Sequence, residues 1–405
     1  MEYQINENVV AVCGAVNAAI YDFSSGKIYS INNIGKNILL KYIGEAELNI
    51  DEKIYLSKLE EKKLISHEFI PYEIKNIGSI PKPKLEMAWL EVTELCNLKC
   101  VHCYEGKCHK KFDNSLSYED WINVINQLSE LNVKRIILIG GEPCCYRRIE
   151  DLINYCGKKS IDTTFFTNAT LMNDSLISSI GRNKAKVKIS IYGGDAESHD
   201  RVTSIKGSFA MMDSNILKMK SKGISMSASV ILMKENQNDL EKIKEYLSKR
   251  GVKHAGYDVI RNVFGGEQSI HAPTNSKIVG PKYFSRPNFK ADLNTYKRNH
   301  FVNSCWFGKI AIQENGNVLP CVFHRNVSMG NVRENTIVNI INSKQTKDFW
   351  YLAFENINEC DICEYRYACK DCRPVAFGVS GFMKEKNPRC LYSPSIGKWG
   401  SLKTK

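Results

Sequence analysis

Three cysteines stand close together in Glu94-Leu-Cys-Asn-Leu-Lys-Cys-Val-His-Cys-Tyr104, at Cys96, Cys100 and Cys103. Their spacing is C-x3-C-x2-C. Soft thiolates suit iron–sulfur chemistry. Three of them on one loop can hold three irons of a 4Fe–4S cube and leave the fourth iron open to another ligand. A structural zinc ion asks for a fourth protein donor, and His102 or Cys108 stands near enough in sequence to supply one. A second group lies toward the C-terminus. Cys305 and Cys321 flank Glu314-Asn315-Gly316-Asn317, a hairpin-turn sequence. Cys360, Cys363, Cys369 and Cys372 follow as C-x2-C-x5-C-x2-C, and Cys390 comes last. Seven cysteines within 86 residues are too dense for core packing, so metal or redox chemistry is expected. A zinc-ribbon-like fold is the plain alternative.

The rest of the composition narrows the setting. The chain has 405 residues and 15 cysteines, and its first residues, MEYQINENVV, resemble neither a signal nor a transit peptide. No apolar run reaches the length of a membrane span. A cytoplasmic protein with reduced thiols is expected, not a disulfide framework. The net charge is +12, unevenly spread. Residues 1–85 hold 10 basic against 11 acidic side chains, so the excess lies beyond them. It forms no blocks, so a solvated basic surface is expected; charge alone leaves an acidic partner such as a peptide or nucleic acid open, while the partners expected for the whole chain include no nucleic acid and no membrane.

The elements that must position the cysteines follow from periodicity. Val9–Val12, Ala18–Phe23 and Lys27–Ile31 read as short strands around the turn Ser24-Ser25-Gly26. Helical stripes follow at Ile34, Ile38 and Tyr42, and at Ile54, Leu59 and Leu64. Residues 1–70 are thus expected to form a winged-helix-like module. Residues 71–85, with Pro71, Gly78, Pro81 and Pro83, read as a linker. From 86 to 258 strands and helices alternate, with strands at 87–92, 135–139, 162–166, 186–191, 224–231 and 252–258. Ser117 and Asp120 form a capping box before Trp121, Val124, Ile125 and Leu128. Asn238 is expected to cap the helix of Leu240, Ile243 and Leu247. The fold class is α/β, a partial (β/α)6 TIM-like barrel. Residues 259–304 read as a bridging segment and 305–405 as a cysteine-rich extension.

Placed directly after the first barrel strand, the C-x3-C-x2-C loop resembles that of the radical S-adenosylmethionine (SAM) superfamily. His102 stands where that family has an aromatic residue. Gly140-Gly141-Glu142-Pro143, after the second strand, is similar to the family's GGEP segment. Thr167-Asn168-Ala169-Thr170 resembles its TNGT-like segment, and Ser190-Ile191-Tyr192-Gly193 its SxxG segment. The resemblance implies a SAM-binding 4Fe–4S cluster on Cys96, Cys100 and Cys103. It also implies contacts to SAM from His102, Gly140, Gly141, Glu142, Asn168 and Ser190. Reductive cleavage of SAM would then give a 5′-deoxyadenosyl radical that abstracts hydrogen.

The C-terminal cysteines resemble the SPASM extension of radical SAM maturases, with x2 before Cys372 where x3 is usual. That likeness implies two auxiliary 4Fe–4S clusters. Cys360, Cys363, Cys369 and Cys390 would hold one; Cys305, Cys321 and Cys372 would hold the other. The second set lacks a fourth cysteine. Either His300, beside Asn299, completes it or an iron stays open to a substrate thiolate.

Ala19–Asn33 and the helix after it resemble the recognition element that captures leaders of ribosomally made peptides. The function this implies is a maturase that cross-links a precursor peptide, with a Cys thioether expected first. Carbon–carbon or carbon–oxygen bonds, sulfatase-type maturation and a degenerate, non-catalytic peptide-binding protein remain alternatives. Val322 stands where sulfatase maturases have a catalytic Asp. The expected partners are a precursor peptide with a leader and a low-potential donor such as ferredoxin or flavodoxin. No catalytic residue is assigned. Cys13 and Cys156 are expected to be inert core thiols and Cys144-Cys145 a small apolar lining, while His199-Asp200-Arg201 reads as a site element or a solvated loop.

Overall fold

The computed structural model describes residues 1–104, 114–261, 263, 270–275, 284 and 286–400. Cys108, Gly265, Gly266 and Pro281 lie outside them. The chain forms two compact units. A terminal unit joins Met1–Lys82, Phe284–Cys305 and Trp350–Lys405, and a barrel unit joins Pro83–Tyr283 and Trp306–Phe349.

In the terminal unit β1 (Glu2–Asn6), β2 (Val9–Cys13), β3 (Ala18–Asp22), β4 (Lys27–Ile31) and β5 (Tyr72–Glu73) make an antiparallel sheet. Its order is β4-β3-β2-β1-β5. Every residue of β2 and β3 is buried, so both faces of the sheet are covered. That is why these strands read as unbroken apolar runs. One face packs Ala11, Ile20 and Ile31 against Ile38, Leu39, Leu56 and Leu59 of the helices Asn33–Ile43 and Ile50–Glu61. The other packs Val10, Val12, Ala19 and Tyr21 against Tyr296, Cys363, Tyr365 and Tyr367. The N-terminal sheet and much of the cysteine-rich segment therefore share one core.

Several local expectations shift here. Glu2–Asn6 is too polar to read as a strand, yet it pairs with β2 and β5. Tyr72–Glu73, at the start of the expected linker, is β5. The module has four strands before its first helix, more than the strand pair of a winged-helix-like unit. Ile34 and Ile54 are exposed, and the buried faces run through Gly35, Ile38 and Leu39, and through Leu56 and Leu59.

The barrel unit is built on β6 (Met87–Glu91), β7 (Arg135–Ile139), β8 (Asp162–Thr167), β9 (Lys186–Ile191), β10 (Met226–Leu232) and β11 (Lys253–Val259). They lie side by side in chain order, all parallel. Helices fill the crossovers. The first, Tyr118–Glu130, has the Ser117–Asp120 capping box and buries Trp121, Val124, Ile125 and Leu128. This is the α/β alternation expected from periodicity. The sheet continues past β6, with β12 (Lys309–Ile312) parallel to it, then β13 (Asn317–Leu319) and β14 (Gly330–Asn331) antiparallel. The Asn315-Gly316 hairpin thus extends the barrel sheet. Asn238 does not cap the helix Leu240–Arg250; Asp239 holds that position without a side-chain bond. No helix among the described residues is long and apolar enough to cross a membrane.

Candidate iron–sulfur and SAM site

The loop of Cys96, Cys100 and Cys103 leaves the C-terminal end of β6, where a parallel α/β sheet places its ligand sites. Its backbone is tied down on two sides. Lys99 and Val101 donate to the carbonyls of Thr203 and Val202, each at 3.0 Å. Gly141 donates to Thr93 at 2.7 Å and Glu142 to Leu95 at 2.8 Å. The glycines answer to this contact. A Cβ on Gly140 would stand 2.2 Å from the Thr93 carbonyl oxygen, and one on Gly141 2.5 Å from those of Glu94 and Leu95. The GGEP backbone is therefore pressed against the cysteine loop itself.

Glu142 is buried and accepts three hydrogen bonds. Oε1 takes the Cys144 amide at 3.1 Å and the Thr167 hydroxyl at 2.6 Å, and Oε2 takes the Asn168 amide at 2.7 Å. Burial pushes its pKa up while these donors pull it back. Asn168 also donates to Asn97 Oδ1 at 3.0 Å, and Asn97 donates to Thr170 at 2.8 Å. The segment after β8 is thereby laced to the cysteine loop. Ala169 holds φ +60°, the left-handed conformation that glycine takes without strain, where the resembled segment has glycine.

His102 packs its ring edge-on against Tyr192, 4.6 Å between centroids. Burial lowers its pKa to about 4, so it is a neutral aromatic at pH 7. Ser190 lies on β9, and its side chain bonds the buried Tyr192 hydroxyl. His199 is buried and also neutral, its pKa lowered by burial to about 4. Asp200 accepts from Gly207, Ser208 and Phe209, and Arg201 from its side chain donates to the Glu235 carbonyl. His199-Asp200-Arg201 is thus a structural joint, not a solvated loop.

Leu98 donates its amide to Cys96 Sγ at 3.4 Å. Burial pushes the Cys96 thiol up to about 12 and raises Cys100 further. Thiols buried this deeply ionise only when a cation replaces their protons. Among the described residues no three of these sulfurs lie within 4.8 Å of one another, with or without His102. Tetrahedral zinc, with bonds of about 2.3 Å, would bring its sulfurs about 3.8 Å apart. The softness of three thiolates suits an iron–sulfur cluster.

In the terminal unit Cys360, Cys363, Cys369 and Cys390 come together. Burial raises each thiol, and their charges act on one another. The buried Arg373 side chain pairs with Asp371 beside them and donates to the Met383 and Glu385 carbonyls at 2.9 and 2.6 Å. Cys305 and Cys372 also lie in the terminal unit. Cys321 lies in the barrel unit, where its sulfur accepts the Phe323 amide at 3.5 Å. His300 Nε2 lies 3.3 Å from Glu2 and 3.6 Å from Glu355, so this nitrogen faces carboxylates. Buried Asn299 donates to the Tyr367 and Cys369 carbonyls. Cys13 and Cys156 are buried, as expected. Cys144 packs near Thr167 and Met172.

One network of buried charges beside the cysteine loop escaped sequence reading. Glu91, at the end of β6, is fully buried. Arg325 grips both its oxygens at 2.8 Å and reaches Glu94 at 2.8 Å. Glu94 donates its amide to Glu314 at 2.6 Å. This network ties the Cys96 loop to the segment after Cys321. A carboxylate in an apolar strand whose partner lies 234 residues away leaves no local pattern.

Residues 90–247 match the model of the radical SAM superfamily, and 305–373 match that of an iron–sulfur cluster-binding domain, SPASM. The chain is 25% identical to the antilisterial bacteriocin subtilosin biosynthesis protein AlbA of Bacillus subtilis, over 85% of this chain and 78% of that one. It is 23% identical to an AdoMet-dependent heme synthase of Methanosarcina barkeri, over 77% of this chain and 97% of the other. The fold is similar to Streptococcus suis SuiB bound to precursor peptide SuiA, with a TM-score of 0.60 at 14% identity, over 95% and 98% of the two chains. The chain therefore carries a radical SAM domain joined to an SPASM iron–sulfur cluster-binding domain, with SAM and iron–sulfur clusters as its cofactors.

Proposed function

We propose that this protein is a radical SAM peptide maturase that cross-links a ribosomally made precursor, forming a Cys thioether. The observation that carries this reading is the shared core of the terminal unit. A sheet with an edge strand, β4, is packed into the same unit as four clustered thiols. An edge strand can take an extended peptide as a further strand. Residues 1–70 serve as the leader-recognition module, 86–258 as the radical SAM domain and 305–405 as the SPASM region. The AlbA and SuiB likenesses support a peptide substrate.

The cluster would supply the electron for reductive cleavage of bound SAM, whose deoxyadenosyl fragment would take a hydrogen atom from the peptide. Cys96, Cys100 and Cys103 hold that cluster. Glu142, whose carboxylate accepts three hydrogen bonds within the protein, would keep acceptor capacity for the amino group of SAM. His102, Gly140, Gly141, Asn168 and Ser190 shape the walls for SAM. Cys360, Cys363, Cys369 and Cys390 hold one auxiliary cluster, and Cys305, Cys321 and Cys372 the other. A ferredoxin or flavodoxin would supply the electron that cleaves SAM; closing the C–S bond releases the thiol proton and one further electron, which an auxiliary cluster would accept.

The test is mass spectrometry of a short cysteine-bearing peptide encoded beside the gene, incubated without oxygen with reconstituted protein, SAM and a strong reductant. A thioether removes two hydrogens from the peptide and one alkylatable thiol. The same mass loss with all thiols free moves the bond to carbon or oxygen. The heme-synthase relatives, matched over nearly their full length, favour a second reading in which a porphyrin is the substrate. Deoxyadenosine formation driven by an iron porphyrin and not by the peptide establishes that reading instead.

A further inference from the structure

Four segments of the terminal unit converge on one small space. Glu2 comes from β1, His300 from the helix Leu293–Phe301, Glu355 from the short turn Phe354–Asn356 and Tyr367 from the turn Arg366–Ala368. One ligand atom from each of Glu2, His300 and Glu355 lies within 4.8 Å of the other two. His300 Nε2 stands 3.3 Å from Glu2 Oε1 and 3.6 Å from Glu355 Oε1. Among the described residues no other group of His, Cys, Asp and Glu side chains meets this closely.

These spacings are those of a coordination shell. Zinc binds imidazole nitrogen and carboxylate oxygen at about 2.1 Å, which sets neighbouring donors of a tetrahedron about 3.4 Å apart. One imidazole and two carboxylates make an open zinc site, in which three protein ligands leave the fourth position to water. None of the three donors is a thiol, so the set differs in kind from the cysteine sets.

The surroundings fit the same ion. The Tyr296 hydroxyl donates to Glu2 Oε2, and the Tyr367 hydroxyl donates to Glu2 Oε1 at 2.5 Å. Outer hydrogen bonds of this kind orient a ligand carboxylate. Tyr367 also reaches Glu355 Oε1, but its one proton serves one carboxylate at a time. Arg366 stands 3.6 Å from Glu2 Oε1, where it offsets one of the two carboxylate charges and leaves the other. When no cation is bound, an imidazolium at His300 answers that charge; a zinc ion takes its place on the neutral ring. His300 and Glu355 also line a cavity of about 440 Å³ with Ile80, Phe301, Tyr351 and Ala353, which gives an ion its entry path.

We propose that Glu2, His300 and Glu355 bind one zinc ion at the edge of this cavity. One nitrogen and two oxygens hold it, and the remaining position takes water from the cavity. The site does not depend on which substrate the radical chemistry serves.

The test uses full-length protein with its clusters reconstituted. The protein is given zinc, desalted and analysed for retained metal, and affinity is read by competition with a chelating dye. Wild type keeps one zinc that is bound by nitrogen and oxygen. Glu355→Gln changes a side chain that is 42% exposed, so the fold is kept. It and His300→Gln should each weaken zinc binding about tenfold or more. Glu73→Gln, on the exposed strand β5 of the same unit, leaves the affinity as it was. X-ray absorption at the zinc edge separates this site from free thiols, with nitrogen and oxygen at about 2.0–2.1 Å against sulfur at about 2.3 Å. An absence of retained zinc overturns the site. So does a sulfur shell, or an affinity that neither Glu355→Gln nor His300→Gln changes.

Discussion

At the residue scale, burial decides what the titratable groups beside the cysteine loop can be. His102 is neutral and packed, so its value is its ring rather than its proton. His102→Phe should keep SAM cleavage, whereas His102→Ala should open a void against Tyr192 and lose most of it. Deoxyadenosine yield per cluster checks both. Arg325 is a different case. It neutralises Glu91, which has no exposed surface. Arg325→Ala strands that charge and should cost about 3–5 kcal/mol of stability. The chemical-denaturation midpoint reads it, and Glu91→Gln in the same chain should recover part of the loss.

At the scale of elements, the cysteine loop is held as much by the GGEP turn as by β6. Gly140 sits where any side chain would meet the Thr93 carbonyl at 2.2 Å. Backbone on both sides leaves no room to relax. Gly140→Ala should therefore displace the loop, lower iron retained after reconstitution and cost more than about 2 kcal/mol. Iron content and thermal melting measure it. Gly223, whose Cβ would meet nothing, lies far from this contact, but its φ of +68° makes it a poor neutral control. The strand periods were legible because strand and helix patterns repeat within a dozen residues. Strands β6 to β11 fall within two residues of those read from periodicity. What escaped were β1, β5, the short strands β12 to β14 and the exposed phases of the two module helices. There, pairing and the choice of covered face depend on residues distant in sequence.

At the scale of the molecule, the terminal unit ties its N-terminal strand to two segments distant in sequence through a buried charge cluster. Glu2 meets His300, Tyr296 and Tyr367, with Arg366 at 3.6 Å. Burial opposes its charge, but these partners outweigh burial and hold its pKa near 2, below the ordinary 4.5. His300 is opposed by burial too, yet Glu2 and Glu355 raise it above its ordinary 6.5. The signs follow from linkage. The Glu2 contribution is present above about pH 4.5 and lost as pH falls toward 2. The His300 contribution is present below about 6.5 and lost as pH rises through its elevated value. The stability difference between wild type and Glu2→Gln should therefore be largest between about pH 4.5 and 6.5, on the order of 3 kcal/mol. Melting curves of both proteins across pH 3–9 check this, with a gap constant across that range counting against it.

The sequence by itself determined the chemistry of the metal sites and the alternation of the barrel. Both are local: a thiolate's softness and the spacing of Cys96, Cys100 and Cys103 need no neighbour from afar, and strand and helix periods repeat within a dozen residues. Only the tertiary structure decided that Glu91 and Glu94 are held by Arg325, that His300 faces Glu2 and Glu355, and that the N-terminal sheet shares a core with Cys363 and Tyr365. All of those pairings except His300 with Glu355 join residues more than two hundred positions apart. They form because burying a charge or an apolar face demands a partner, and the chain's path through space, not its local order, chooses which one.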